Sequence, residues 1–144
     1  MSKNEIIKIL KKYNFDNKKY IVISGAAMVL HGIKNSTSDI DIAVTKEYYE
    51  YLLKHYKCDF DKINPYNHKV YFIDNIINFG IDYFTSPVYM DDIPIQKIDD
   101  ILKLKNNLNR NKDKDDILLI QKVIWQYFVK ELYYTCFRKE TKWK

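Results

Sequence analysis

The chain has 144 residues, a length typical of one domain, and 47% of them are hydrophobic, which is enough for a buried core. With 30% charged residues the composition is that of a folded soluble protein, and no run of about 18 apolar residues that would span a membrane is present. The formal net charge of +5 favours anionic partners, although charge alone indicates a nucleic-acid surface only weakly.

Two features of the sequence bear on the compartment. The N-terminal segment has neither a continuous apolar stretch nor a small-residue cleavage site, so we expect no secretory signal. Cys58 and Cys136 lie far apart in sequence, which indicates free thiols and not a disulfide framework or a zinc site. A cytoplasmic protein without a membrane partner is therefore expected.

The hydrophobic pattern predicts helices and strands in alternation. In the first half these are a helix over 5–13, a strand over 20–23, a helix over 25–30, a strand over 39–44 and a helix over 46–56. The second half contains predicted strands over 70–73 and 77–84, a loop or edge segment between Pro87 and Pro94, a helix over 98–108 and a long helix over 113–137. This order predicts a mixed α/β (α+β) fold, in which a small sheet is flanked by helices and two helices end the chain. We expect a single domain over 1–144, with its core at about 20–90 and its C-terminal helices at about 98–138.

Two aspartates, Asp39 and Asp41, flank one isoleucine in the strand predicted over 39–44. Side chains at positions i and i+2 of a strand point to one face, so the two carboxylates lie side by side while the alternate residues, all apolar, face the core. Neighbouring carboxylates repel each other unless a cation lies between them, and hard oxygen ligands suit Mg²⁺. The pair is a candidate metal site, although an isolated pair of this kind more often lies on a solvated strand face.

A third carboxylate, Asp82, has the same parity in the strand predicted over 77–84. Apolar residues alternate there with Asn78, Gly80 and Asp82, so a polar face again carries an acid. If this strand lies beside the strand with the aspartate pair, the three acids share one surface. The sequence therefore predicts Asp82 as the third acidic ligand.

Asp74 is the competing acid, because it also lies at the end of an apolar run. It precedes Asn75, and Asp-Asn is favoured in tight turns. We expect a turn there that joins the two strands and points Asp74 to solvent.

The dipeptide Ser24-Gly25 lies between a predicted strand and a predicted helix. A glycine at this place lets a phosphate approach the backbone, and the unpaired N–H groups of the first helical turn attract the anion. Taken alone, the pattern is equally that of an ordinary strand-to-helix turn.

Lys105 falls within the apolar stripe of the helix predicted over 98–108, whereas Lys103 falls on the opposite side. A lysine on a buried face requires an anion, which is either a carboxylate or a phosphate. Asp113 and Asp116 have the spacing of a cap and a first-turn acid at the start of the last helix, and a catalytic role is the alternative. His31 is interpreted as a wall or core histidine and not as a general base.

The segment over 23–44, ISGAAMVLHGIKNSTSDIDIAV, resembles the signature of the nucleotidyltransferase superfamily, whose fold is that of DNA polymerase β. Its spacing and its A-x-x-L-H-G run are similar to those of antibiotic nucleotidyltransferases and of abortive-infection toxin enzymes. The C-terminal run from Leu102 and Lys105 to Asp113, Asp116 and Ile117 is also similar to that branch, so the resemblance spans about 20–120. Two departures stand out: the turn is Ser24-Gly25 where the family has Gly-Gly or Gly-Ser, and Asn35 replaces a frequent arginine.

The resemblance implies a Mg²⁺-dependent transfer of a nucleoside monophosphate from a nucleoside triphosphate to an acceptor hydroxyl, with release of pyrophosphate. It implies two Mg²⁺ ions on Asp39, Asp41 and Asp82, with Asp82 as general base. It also implies that five residues contact the triphosphate: Ser24, Gly25, Thr37, Ser38 and Lys105.

The acceptor that the resemblance implies is a small molecule of the antibiotic kind or a macromolecule. The alternatives are a toxin–antitoxin or phage-defence component that modifies tRNA or protein, and a member that binds nucleotide without catalysis. A partner protein or a homo-oligomer would complete the acceptor site.

Overall fold

The computed structural model describes residues 1–82 and 85–141, with side chains described up to residue 137. Its α-helices are α1 (Lys3–Tyr13), α2 (Ser24–Leu30), α3 (Lys46–His55), α4 (Ile98–Leu108) and α5 (Lys114–Thr141), and a 3-10 turn, Asn111–Asp113, precedes α5. Its strands are β1 (Tyr20–Ile23), β2 (Ile40–Val44), β3 (Cys58–Ile63), β4 (Lys69–Ile73), β5 (Ile77–Gly80), β6 (Val88–Met90) and β7 (Ile93–Ile95). The predicted class, a mixed sheet with flanking helices and two C-terminal helices, is confirmed.

The strands form one sheet in the order β3-β4-β5-β2-β1-β7-β6. The pairs β2–β5 and β1–β7 are parallel, and the other neighbours are antiparallel. Helix α2 packs against β1 and β2, and α1 packs against α2. Strand β2, which contains Asp41 and directly follows Asp39, therefore lies at the centre of the sheet.

Local sequence rules account for where two of the helices begin. The side chain of Ser2 accepts a hydrogen bond from the backbone N–H of Glu5 at the start of α1. The side chain of Thr45 accepts one from the N–H of Tyr48 at the start of α3. Each hydroxyl satisfies an N–H that has no partner within its own helix, as an N-cap residue does.

The chain divides into two compact units, Met1–Ile101 and Leu102–Lys144. The first contains the whole sheet with α1, α2 and α3. The second contains most of α4, the 3-10 turn and α5. No helix within the described residues is long and apolar enough to cross a membrane.

Two parts of the sheet differ from the sequence prediction, and a third agrees with one of its alternatives. Strand β3 was not predicted, because its residues are mostly exposed and show no buried apolar face. The strand predicted over 77–84 ends at Gly80, and Tyr83 and Phe84 lie outside the described residues. The segment between the prolines, predicted as a loop or edge segment, lies at the edge of the sheet as a hairpin of β6 and β7, and Pro94 lies inside β7 opposite Tyr89 of the edge strand β6. Strand β7 touches β1 at one register position only, so the missing N–H of a proline is tolerated there.

Candidate functional site

Asp39 and Asp41 lie at the beginning of the central strand β2. Asp39 directly precedes the strand, and Asp41 is its second residue; both side chains are half-buried. Asp41 is opposite Ile23 of β1 and beside Asn78 of β5. On its β1 side the same face carries the buried residues Ile21, Ile23 and Ala43, which form an apolar cluster. Asp41 therefore lies at the border between an apolar wall and a row of polar side chains.

The pKa of Asp41 is raised to about 6, first because burial disfavours the charged carboxylate and then because of the negative charge of Asp39. Asp61 and Asp82 raise it further, whereas the ammonium group of Lys62 lowers it. These effects identify the charged groups that surround Asp41 in space. Three carboxylates, those of Asp39, Asp61 and Asp82, act on Asp41, and the exposed Lys62 opposes them.

Asn78 and Asp61 extend the row of polar side chains away from Asp41. The amide Nδ2 of Asn78 donates a hydrogen bond to Oδ2 of Asp61 over 3.0 Å. Asp61 belongs to β3, where the register with β4 shifts between Phe60 and Lys62, so that it is the extra residue of a bulge. A bulge redirects side chains, and here the hydrogen bond passes over β4 to reach β5.

The strand that precedes Asp82 lies beside the strand of Asp41, as the prediction for Asp82 required. Strand β5 lies beside β2 in parallel register, with Asp41 next to Asn78 and Ile42 next to Phe79. Asp82 is half-buried, follows the end of β5 by two residues, and its charge acts on Asp41.

Asp74 lies where the sequence predicted it. Asp74 and Asn75 both have positive φ in the turn between β4 and β5, and both are exposed. The side chain of Asp74 accepts a hydrogen bond from the hydroxyl of Tyr13. Asp74 is not among the charges that shift the pKa of Asp41.

The turn at Ser24 is strained, because Ser24 has a φ of 56° in the left-handed region that residues with a Cβ disfavour. Its N–H donates a hydrogen bond over 3.1 Å to the side-chain carbonyl of Gln96, and Gln96 is fully buried. The backbone N–H of Gln96 in turn donates to the carbonyl of Val22 over 2.9 Å. The buried glutamine therefore holds the turn in its unusual conformation.

Gly25 follows in the same turn and approaches Thr37. A Cβ on Gly25 would lie 3.3 Å from Oγ1 of Thr37, which is tighter than an ordinary contact. The Thr37 hydroxyl donates to the backbone carbonyl of Asp39 over 3.3 Å, and Ser38 between them is exposed. The turn, the hydroxyl residues and the aspartate pair are thus neighbours in space.

Lys105 lies in the second unit and is 4% exposed, which confirms that it faces inward, whereas Lys103 is exposed. Its ammonium group contacts Oδ1 of Asp113 at 2.9 Å and Oδ2 of Asp116 at 3.3 Å. Arg110 also binds Asp113, at 2.6 Å. Burial raises the pKa of Asp113, but the hydrogen bonds and charges of Arg110 and Lys105 hold it below its ordinary value. The anions around Lys105 are carboxylates, and its predicted contact with a phosphate stays a prediction.

The contacts of His31 and the two cysteines are those of residues with a structural role. The Nε2 atom of His31 lies 2.8 Å from the carbonyl of Gln96, so this nitrogen carries the proton and donates. Both cysteines are free thiols, and burial raises the pKa of Cys58, the opposite of what activates a thiol nucleophile.

Among the described residues, no three side chains of His, Cys, Asp or Glu are grouped in a way that could hold a metal ion. The oxygens that suit Mg²⁺ are those of Asp39 and Asp41, and the buried carbonyl oxygen of Asn78, which has no hydrogen-bond partner, lies on the strand beside them.

Sequence reasoning missed four residues of this site: Asp61, Lys62, Asn78 and Gln96. The parity that selected Asp82 also applied to Asn78 and was the one signal available for it. Comparison of the chain with models of protein families, with curated proteins and with solved structures found no match.

Proposed function

We propose that this chain is a Mg²⁺-dependent nucleotidyltransferase that moves a nucleoside monophosphate from a nucleoside triphosphate to an acceptor hydroxyl. The observation that carries the proposal is the group of acids around Asp41 at the centre of the sheet. Asp39 precedes the strand, and Asp82 and Asp61 act on Asp41 from neighbouring segments. Burial first, and then the negative charges of these acids, raise the pKa of Asp41 to about 6. Mutual repulsion of this kind is relieved when a cation binds.

The turn at Ser24 and Gly25 supports the same proposal. It brings backbone N–H groups and the hydroxyl of Thr37 close to the segment that leads into Asp39. The exposed hydroxyl of Ser38 is a hydrogen-bond donor suited to phosphate oxygens. The Thr37 hydroxyl, which donates to the carbonyl of Asp39 in this structure, would join it after rotation, whereas the N–H of Ser24 already donates to Gln96. Lys62 is an exposed cation whose charge acts on Asp41. It is therefore a candidate for contact with the triphosphate, in addition to Lys105.

The chemistry that Mg²⁺ supplies when bound is neutralisation of the triphosphate and a lower pKa of the acceptor hydroxyl. Asp39 and Asp41 would hold the cation through their carboxylates. Asp82 takes the proton of the acceptor hydroxyl as its oxygen attacks the α-phosphorus. The bond from the α-phosphorus to the bridging oxygen breaks, and pyrophosphate leaves on the opposite side.

The test uses each of the four nucleoside triphosphates, labelled at the α-phosphate, with Mg²⁺ and a cell extract. We expect label to enter one fraction, and the fraction identifies a small-molecule, tRNA or protein acceptor. Asp41→Asn should abolish transfer, and Asp82→Asn should lower it at least about a hundredfold, as loss of a general base does. Asp74→Asn is the matched control and should change transfer little, because Asp74 lies in an exposed turn.

Calorimetry with a non-hydrolysable triphosphate separates binding from transfer. If binding weakens strongly in a chelator but no fraction gains label, the protein binds nucleotide without catalysis. Equal binding in chelator and in Mg²⁺ would contradict the metal assignment itself.

A further inference from the structure

Asn78 is a buried polar residue whose hydrogen bonding is incomplete. Its side chain is 3% exposed, and its amide nitrogen donates to Asp61, but its carbonyl oxygen has no partner among the described atoms. A buried acceptor without a donor is unfavourable, and such atoms are uncommon in folded proteins. The orphaned oxygen therefore points to a donor or a cation that binds at this place.

Asp61 fixes which end of the Asn78 amide faces the site. An ionised carboxylate only accepts hydrogen bonds, so the partner that it binds has to be the NH₂ end of the amide. The carbonyl end is then left on the remaining side of the amide group. If Asp61 were replaced by a residue that also donates, either end of the amide would satisfy it.

The neighbour of Asn78 on the other side is Asp41. The two residues are register partners in the parallel pair β2–β5. Neighbouring strands lie about 4.8 Å apart, and register partners extend from the same face of a sheet. The orphaned oxygen and the carboxylate of Asp41 thus border the same small volume, with Asp61 on the far side of Asn78.

We infer that Asn78 is a binding residue for the hydrated divalent cation, and that Asp61 is a positioning residue that holds the carbonyl oxygen of Asn78 toward that cation. The inference rests on the metal role of Asp39 and Asp41 in the proposed function. Mg²⁺ in proteins usually keeps several of its waters, and a carbonyl oxygen is a good acceptor for them. Asn78 thereby adds a neutral oxygen to an already acidic site.

The experiment measures the affinity of Mn²⁺ for the full chain without nucleotide, by water-proton relaxation, with Mg²⁺ competition as a second readout. Asn78→Leu removes the acceptor oxygen at nearly constant volume and constant charge. We expect it to weaken Mn²⁺ binding by about tenfold or more, in the range found for residues that orient metal ligands. Asp61→Asn should weaken binding to a similar degree, because the amide of Asn78 is no longer held in one orientation.

Asp59→Asn is the matched control for the loss of charge. Asp59 lies in the same strand as Asp61, two residues earlier, and is exposed. It has the same charge to lose but is not among the charges that act on Asp41, so we expect less than about a twofold change. Asp61→Asn made in Asn78→Leu separates charge from orientation, because an orientational effect of Asp61 adds no further loss there. Circular dichroism in the absence of metal checks that each variant is folded. If Asn78→Leu does not fold, the comparison of Asp61→Asn with Asp59→Asn tests the positioning role of Asp61 in its place.

Unchanged Mn²⁺ affinity in Asn78→Leu, or equal losses in Asp61→Asn and Asp59→Asn, would overturn the inference. Absence of Mn²⁺ binding to the parent chain would overturn it as well. Because no nucleotide is used, these outcomes are independent of transfer: metal binding that depends on Asn78 in a chain that transfers nothing supports the inference and contradicts the proposed function.

Discussion

The carboxyl of Asp41 is in an unfavourable electrostatic setting when no cation is bound. Apolar side chains cover one side of it, and Asp39, Asp61 and Asp82 surround the other, with Lys62 as the only opposing charge among the groups that shift its pKa. Its pKa is raised to about 6. A group with a raised pKa in the folded state binds more protons there than in the unfolded chain. Its contribution to stability is present below its unfolded pKa of about 3.9 and is lost as the pH rises through about 6.

Asp41→Asn should therefore stabilise the protein at neutral pH in a chelator. We expect the free energy of unfolding to rise by about 1–3 kcal/mol at about pH 7, the amount that corresponds to a shift of up to about two pKa units in a half-buried group. The difference should vanish below about pH 3, where the carboxyl of the parent is protonated in both states. Urea denaturation at several pH values measures it.

Mg²⁺ provides the control for this prediction. Millimolar Mg²⁺ at neutral pH should raise the stability of the parent and not that of Asp41→Asn, because a ligand stabilises only the state that binds it. A variant that is less stable than the parent at neutral pH in chelator would show that the carboxylate has a stabilising partner in the folded protein.

At the scale of single residues, the sequence predicted the parts of the site that depend on the alternation of side chains along a strand. The faces of Asp39 and Asp41 follow from alternation within one strand, and the matching parity of the second strand was confirmed by the register of Asp41 with Asn78. Asp61 could not be predicted, because its position depends on a bulge and on a hydrogen bond that passes over a whole strand. Contacts between distant segments leave no periodic signal in the sequence.

At the scale of elements, the joint between α4 and α5 is held by a buried ion network. Lys105 bridges Asp113 and Asp116, and Arg110 binds Asp113 from the other side. Removing one partner of a buried pair leaves an uncompensated charge, which costs about 3–5 kcal/mol in other proteins. Arg110 remains on Asp113 and reduces that cost here.

Lys105→Met should accordingly lower the free energy of unfolding by about 2–4 kcal/mol. Lys103→Met, on the exposed side of the same helix, should change it by less than about 0.5 kcal/mol. Urea denaturation of both variants measures the difference. If Lys105→Met kept its stability but lost about tenfold in triphosphate affinity, the phosphate contact predicted from the sequence would account for this lysine instead.

Elements were predictable where burial imposes a period or a continuous apolar run, as in the fully buried β1, and were missed where it imposes neither. Strand β1 and helix α4 have the bounds that the pattern predicted. Strand β3 lies at the edge of the sheet with most of its side chains exposed, so no alternation of buried and exposed residues marks it. The sequence prolonged β5 to residue 84 because alternation continues past Gly80, and only the pairing with β2 and β4 shows where the strand ends.

At the scale of the whole molecule, the most unusual surface is that of α5. Eleven large apolar residues of this helix are exposed: Leu118, Leu119, Ile124, Trp125, Tyr127, Phe128, Val129, Leu132, Tyr133, Tyr134 and Phe137. From their exposed fractions and the roughly 150–250 Å² of an aromatic side chain, they present on the order of 1,000 Å² of apolar surface. A monomer rarely exposes a patch of this size, and a stable interface needs about 800 Å² on each partner.

We expect two copies of the chain to associate through α5. Lys130 and Glu131 are adjacent near the middle of the exposed stretch, and an antiparallel two-fold pair centred there places each Lys130 beside Glu131 of the partner subunit. Sedimentation velocity should show a dimer that dissociates on dilution between about 100 and 1 µM. Phe128→Ser should shift the chain to monomer, whereas Tyr89→Ser, with the same 57% exposure in the edge strand β6, should not.

Lys130→Glu should weaken the dimer, because it places two like charges beside each other across the interface. Lys130→Glu combined with Glu131→Lys should restore the dimer, because only the exchanged pair recovers both contacts. A chain that is monomeric over this whole range would leave a different protein as the partner that covers α5, and restoration that fails would rule out the antiparallel arrangement.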